Sequence, residues 1–368
     1  MKVLIWAENF LPFVGGAEIL LSHLLPALSP RGINFEIITS QSATKQAKHE
    51  LWRGIPIHRF NFQEAMMGDL QSFKSIRGDI LSLFGEANPD LIHVHTTGPS
   101  LFLEMQTHSR FKYPRLLTVH AFFSYPPKED GYLRKYLPQI DYLNGVSKRM
   151  TELALALFSK NAPRHETIYN GLPHPKSPTS IPEEKEDIAL ILSRLSREKG
   201  VDLAIQSMHH IRKRRQGLKL WIAGEGPERG FLEKLASTMG LKDRIDFLGL
   251  VPPERVYDTI ARCKFLVMPS RFEEGLGLSA LQAAHMGKPV IGARRGGLPE
   301  IIRDGETGLL FEPEDWQGLA AAMERLLDDP GLCQNLGRNV QRLAKTQFDF
   351  TAMVDAYERI YRQLAPGK

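Results

Sequence analysis

Glu274 and Gln282 stand eight positions apart in the stretch PSRFEEGLGLSALQAAHMGKPVIGARRGGLPEII, residues 269–302. The spacing predicts a carboxylate in the loop ahead of a glycine-opened helix and an amide about two turns inside it, where both can face one ligand. Gly277 and Leu278 form that helix start. Four N–H groups at a helix N-terminus lack partners within the helix, and the aligned peptide dipoles place roughly half a positive charge there. A diphosphate is the natural guest of such an end. Earlier in the chain, LSRLSREKG at residues 192–200 places Arg194 and Lys199 between an apolar run and a helical pattern. Arg194 offers phosphate oxygens a planar fork of donors, and Lys199 adds a compact charge five residues on.

These segments resemble the signatures of family 4 of the retaining glycosyltransferases, GT-B enzymes that move a sugar from a nucleotide donor to an acceptor. Pro269, Ser270, Glu274, Gly277, Ala283, Gly287, Pro289, Val290 and Ile291 match the family's Glu-x7-Glu segment, and residues 192–200 resemble its G/S-R-L-x-x-x-K-G motif. The resemblance implies a UDP- or GDP-linked sugar as donor. It assigns Arg194 and Lys199 to the diphosphate and Glu274 to the transferred sugar. Cations fixed at a leaving diphosphate stabilise the transition state more than the ground state. Gln282 departs from the pattern by replacing the second glutamate, which in the family accepts hydrogen bonds from the donor ribose. Its amide keeps one acceptor oxygen but loses the charge that makes such bonds about twice as strong.

Other segments extend the resemblance. Gly15 and Gly16, in VGGAE, match the G-G-x-E loop after strand one, where glycines let the backbone approach a ligand. Glu18 there reads equally as a dipole-stabilising residue or a ligand contact. Thr118 and His120 match a T-x-H segment, which puts His120 beside the transferred sugar. The turns around Gly224 and Val251 resemble those that build the donor pocket, and Glu300 follows a G-G-x-x-E pattern as an orienting residue. Asn170-Gly171 matches a hinge N-G, for which left-handed geometry is expected. His93 and His95, in LIHVHTTG, are read as facing opposite ways, with His95 on the side of His120. No Asp-x-Asp pair occurs in the chain, so the expectation is a metal-independent site with no cofactor beyond the donor substrate.

A chain of 368 residues exceeds what one core usually organises, and 42% apolar residues suffice for two. The net charge of +5 is spread over both halves, which gives nucleic-acid binding little support and leaves room for a peripheral contact with an anionic membrane face. The run Arg212–Arg215 reads as a solvated helix end. Cys263 and Cys333 lack metal-ligand spacing and suit a reducing compartment, with Cys263 as a small core residue. No window approaches the roughly 20 apolar residues of a membrane span. The opening MKVLIWAENF is too short for a signal peptide's apolar core, so a cytoplasmic location is expected, at most peripheral at the inner membrane face.

Apolar runs alternate with helical patterns throughout, the rhythm of parallel sheets covered by helices. Strands are expected near 2–7, 34–39, 55–60, 91–95, 115–120, 142–145 and 165–169, then near 188–192, 219–223, 244–248, 265–268, 289–292 and 308–311. The proline-rich, acidic stretch 171–187 reads as a linker. The expected fold class is α/β, GT-B: a Rossmann-like acceptor-binding domain at 1–170 faces a Rossmann-like nucleotide-sugar domain at 188–349 across a cleft. By resemblance, a helix at 350–368 crosses back to the first domain. The acceptor is unspecified: a sugar, a glycolipid or a small molecule, with residues 121–132 suited to line its channel. Two alternatives compete, a non-catalytic sugar-nucleotide-binding subunit and another GT-B enzyme such as a sugar-nucleotide 2-epimerase. A dinucleotide oxidoreductase fits worse, because no G-x-G-x-x-G follows strand one.

Overall fold

The structure is a computed structural model that describes residues 1–41, 46–67, 70–98, 100–107, 110–122, 135–158, 161–175 and 187–367. Most of the expected linker and of the 121–132 segment lies outside the described residues. The chain forms two compact units. One comprises Met1–His120, Pro127–Tyr169 and Thr351–Lys368, and the other Ala121–Pro126 and Asn170–Phe350.

The first unit is built on a sheet of β1 (Lys2–Trp6), β2 (Asn34–Ser40), β3 (His49–Trp52), β4 (Ile55–Phe60), β5 (Leu91–Val94), β6 (Arg115–Val119), β7 (Tyr142–Gly145) and β8 (Arg164–Thr167). Their order is β3-β4-β2-β1-β5-β6-β7-β8, parallel except for β3. The antiparallel β3 has no counterpart among the expected strands. It is joined to β4 by Arg53 and Gly54, both at positive φ, which is the twist a two-residue hairpin loop requires. β1 and β5 read as nearly unbroken apolar runs because helices cover both faces of such a sheet.

The last helix, Phe350–Leu364, lays Met353, Val354, Tyr357, Ile360 and Tyr361 along one buried stripe. Its residues from Thr351 onward belong to the first unit. Arg31 pairs with its Asp355 and Glu358 at 2.5 and 2.8 Å, and its Arg359 pairs with Glu166 at 2.9 Å.

The second unit carries β9 (Ile188–Leu192), β10 (Lys219–Ala223), β11 (Ile245–Gly249), β12 (Phe265–Met268), β13 (Val290–Ala293) and β14 (Gly308–Phe311). All pairings are parallel, in the order β11-β10-β9-β12-β13-β14. Ala189, Ile191, Leu220, Ile222, Val267 and Ile291 turn one face into a core shared with helix Val201–Ile211 and helix Trp316–Asp328. Cys263 is buried, and desolvation pushes its thiol up to about 12. In the basic run, Arg214 and Arg215 lie beyond the helix end and pair with Glu324 and Asp328.

In each sheet the strand order reverses beside the first strand, between β1 and β5 and between β9 and β12. Ligands of open α/β sheets bind at the carboxyl ends of strands flanking such a point. Residues 193–200 follow β9, and residues 269–277 follow β12. One expected turn differs. Neither Asn170 nor Gly171 has positive φ; Gly171 is needed because a Cβ there would come 2.6 Å from the Cα of Phe350.

Candidate active site

Lys199 closes a single 3-10 turn, Arg197–Lys199, directly ahead of Gly200. Gly200 adopts φ 65°, and a Cβ on it would overlap the carbonyl oxygen of Pro269. Only glycine therefore lets the turn after β9 rest on the loop after β12. Arg271 ties the same two loops together: it grips Asp202 at 2.6 and 2.9 Å, meets Glu314 at 2.7 Å, and reaches the Arg197 carbonyl at 3.2 Å. These carboxylates raise its pKa further above the ordinary guanidinium value. Sequence reasoning missed Arg271, which lies between the matched Ser270 and Glu274 but is not one of the matched positions.

That clamp brings Lys199 to Glu274. The ammonium lies 2.7 Å from Glu274 Oε1 and 4.4 Å over the Phe272 ring. Ser270 donates to the same oxygen at 2.7 Å. The backbone of Glu274 is pinned as well, since Gly297 N–H donates to its carbonyl at 2.8 Å. At Gly296, φ 60°, a side chain would overlap that carbonyl. Glu300 sits in the short helix Leu298–Ile301 that this turn opens.

Helix Leu278–His285 begins after Gly277, whose φ is 80°, and no side chain caps it. Its first amides therefore have no capping side chain. Gln282 is the fifth helical residue, so it lies a little over one turn inside the helix. The expected two turns counted the preceding loop as helical. Gln282 is 8% exposed, and its amide makes no hydrogen bond to another described residue. Arg194 is separate from the Lys199–Glu274 pair: it is half exposed and bonds Glu198 at 2.7 Å.

Gly224, φ 141°, accepts no Cβ because the Ser193 carbonyl lies against it, and its N–H donates to Gly249 at 2.7 Å. Val251 lines a surface cavity of about 360 Å³ with Trp221, Leu248, Leu250 and Arg262 among its walls. Arg194, Lys199, Glu274 and Gln282 do not line it.

In the first unit, Gly15 is the N-cap of helix Gly16–Leu28, and Glu18 is buried at its third position. The Glu18 carboxylate folds back to where a Gly15 Cβ would sit, the position from which an acidic residue stabilises a helix start.

His120 follows β6 and contacts His95, with Nε2 to Nδ1 at 2.9 Å. His95 in turn meets His93 at 3.1 Å. His93 and His95 therefore do not face opposite ways. Residues two apart on a strand share a face, and their ring centroids lie 3.8 Å apart. Burial lowers the pKa of all three rings, that of His120 to about 4; the neighbouring rings lower those of His93 and His95 further. Among the described residues, no group of three or more His, Cys, Asp or Glu is gathered as for a metal, and no helix is long and apolar enough to cross a membrane.

Two doubly wound, mainly parallel sheets, with glycine-built loops and a cation–carboxylate pair beside an uncapped helix start, define an α/β protein of the GT-B class. The family described as Glycosyltransferase Family 4 matches residues 14–174, and Glycosyl transferases group 1 matches residues 175–343. The two matches together span residues 14–343, and the chain belongs to this family of glycosyltransferases.

An α-D-kanosaminyltransferase of Streptomyces kanamyceticus is 34% identical over 177 residues, 48% of this chain and 46% of that protein. That match covers about half of each protein. A glycogen synthase of Mycobacterium tuberculosis is 26% identical over 404 aligned positions, covering 100% of this chain and 96% of its own. Among solved structures, the Anabaena protein HepE in complex with UDP-glucose has a TM-score of 0.83 at 20% identity, covering 99% of this chain and 100% of that one. That likeness is one of fold.

Proposed function

We propose that the chain is a retaining, metal-independent glycosyltransferase that moves a sugar from a UDP- or GDP-sugar to an acceptor hydroxyl, of a surface polysaccharide or a glycolipid. The observation that carries this reading is the Lys199–Glu274 contact of 2.7 Å beside the uncapped start of helix Leu278–His285. A mostly buried ammonium, already oriented by a carboxylate, gives a departing diphosphate a fixed partner with little reorganisation. Arg194 adds a second cation by exchanging Glu198 for phosphate oxygens, and the amides at Gly277 and Leu278 add dipolar donors.

Glu274 keeps Lys199 in place and meets hydroxyls of the transferred sugar. Gln282, whose amide has no hydrogen-bond partner among the described residues, binds the ribose diol, with Gly224 and Val251 at the nucleoside. Taken by itself, the first unit offers His120 as its candidate contact for a sugar hydroxyl, and amides at the helix start of Gly15 and Gly16. In the reaction, the bond from the anomeric carbon to the leaving phosphate oxygen breaks. The acceptor oxygen bonds to that carbon on the same face, and its proton passes to the departing phosphate. Arginine and lysine neutralise the charge that develops there, the task a carboxylate-held metal performs elsewhere.

The donor bound by HepE makes UDP-glucose the first to test, followed by GDP-mannose. Both are incubated with the protein in EDTA, and the anomeric configuration of the product is read by NMR. Turnover with retained configuration is expected. Tight donor binding without hydrolysis or transfer to any acceptor would instead favour a non-catalytic subunit.

A further inference from the structure

A chain of hydrogen bonds runs through the first unit from the last helix to the end of β6. The Thr118 hydroxyl donates to Asn144 Oδ1, whose own amide nitrogen donates to the Gly145 carbonyl at 3.4 Å. Having donated its one proton, Thr118 accepts at 2.7 Å from His93 Nε2–H. The Nδ1 of His93 is then a bare acceptor. Its one lone pair takes the Tyr361 hydroxyl at 2.6 Å, and His95 Nε2, 3.1 Å from the same nitrogen, carries its proton because two bare nitrogens at that distance would repel. His95 Nδ1 is bare in its turn and accepts His120 Nε2–H at 2.9 Å. Each ring direction follows from the one before it, and the reverse order fails because Thr118 cannot donate to both Asn144 and His93.

We infer that Thr118, Asn144 and Tyr361, acting through His93 and His95, lock His120 as the Nε2–H tautomer, so that its Nδ1 serves only as a hydrogen-bond acceptor for a ligand hydroxyl. These five are positioning residues. The ligand-facing group is His120, and that part rests on the reading above that places it beside the transferred sugar. Burial keeps all three imidazoles neutral and raises the Tyr361 phenol well above its ordinary value, so each ring carries one proton and Tyr361 remains a donor. Among the described residues nothing occupies His120 Nδ1. A sugar hydroxyl that must donate to this nitrogen is distinguished from a group that can only accept, such as a fluorine or a carbonyl. The lock also gives Phe350–Leu364 a purpose beyond packing, since that helix supplies Tyr361.

The test is nitrogen-15 NMR of histidine-labelled free protein at pH 7, with the His120 signals identified by their loss in His120→Gln. The wild type should show His120 with a bare Nδ1 and a protonated Nε2. In the Thr118→Val/Tyr361→Phe variant, which removes both groups that orient His93, the His120 nitrogens should shift to positions averaged between the two tautomers. A protonated Nδ1 in the wild type, or an unshifted His120 in the variant, overturns the lock. His120→Ala assayed with UDP-glucose addresses the other half. Hydrolysis at the wild-type rate, with the NMR signature as inferred, overturns the acceptor role and leaves the lock standing. Absence of UDP-glucose turnover in the wild type bears on the functional reading alone.

Discussion

Replacing Lys199 with alanine removes the ammonium that lies 2.7 Å from Glu274 Oε1 and 4.4 Å over the Phe272 ring. The two side chains are 19% and 9% exposed, so Glu274 would keep a charge largely out of water. Ser270, at 2.7 Å, would be its remaining side-chain donor among the described residues. Breaking a fully buried pair from one side costs about 3–5 kcal/mol. The partial exposure of Lys199 and the surviving Ser270 bond bring this to about 2–3 kcal/mol. For a unit of this size, each kcal/mol moves the unfolding midpoint by roughly 2–4 °C, so a drop of about 5–10 °C is expected in thermal unfolding followed by circular dichroism. Turnover of the nucleotide sugar should fall by about 10²–10³, the scale for losing one fixed partner of developing charge. Lys199→Ala combined with Glu274→Gln removes the stranded charge. Stability should therefore recover by half or more while turnover stays low. An unchanged midpoint in the single variant, or a double variant no more stable than it, would refute the pairing argument.

Gln282→Glu restores a charged acceptor at a position with no side-chain partner among the described residues; nucleotide binding measured by calorimetry should tighten by about 1–2 kcal/mol, and weaker binding would show that the ribose assignment is wrong. Gly224→Ala places a Cβ against the Ser193 carbonyl at φ 141°, so urea unfolding should report a loss of roughly 2 kcal/mol or more, whereas a neutral result would remove the close-approach argument. His93, His95, His120 and His285 all have lowered pKa values, those of His120 and His285 at about 4, with burial the leading cause. Below the ordinary value of 6.5 the unfolded chain takes up protons that the folded chain refuses, so stability should fall as pH drops from 7 to 5. Equal unfolding midpoints at both values would contradict the neutral, buried rings.

Residues 192–200 and 269–302 were readable because glycine, proline and charged positions fall at fixed offsets from strand ends, and local chemistry governs such turns. Lys199 and Glu274 were each identifiable, but their direct bond was not, because it depends on how the loops after β9 and β12 approach each other. Gly200 and Gly296 serve that approach, and a glycine in sequence does not announce which carbonyl it must clear. Arg271 was illegible for the same reason, since Asp202 and Glu314 lie far from it along the chain. The hairpin β3–β4 turns on Arg-Gly instead of the commoner Asn-Gly, which hid β3. His93 and His95 were misplaced by a faulty reading of strand periodicity, an error that period two would have prevented. The chain from His120 to Tyr361 joins β5, β6, β7 and the last helix, and no local pattern encodes it.

The most direct measurement is a calorimetric titration of UDP and of GDP, in EDTA, into the wild type and into Arg194→Ala/Lys199→Ala. At least one nucleotide should bind the wild type without metal. The double variant should lose about 100-fold or more in affinity, as expected when two charge-assisted phosphate contacts, each of about 1.5–3 kcal/mol, are removed. Equal affinity in both proteins, or binding to the wild type only when a divalent cation is supplied, would contradict a diphosphate site built on Arg194 and Lys199.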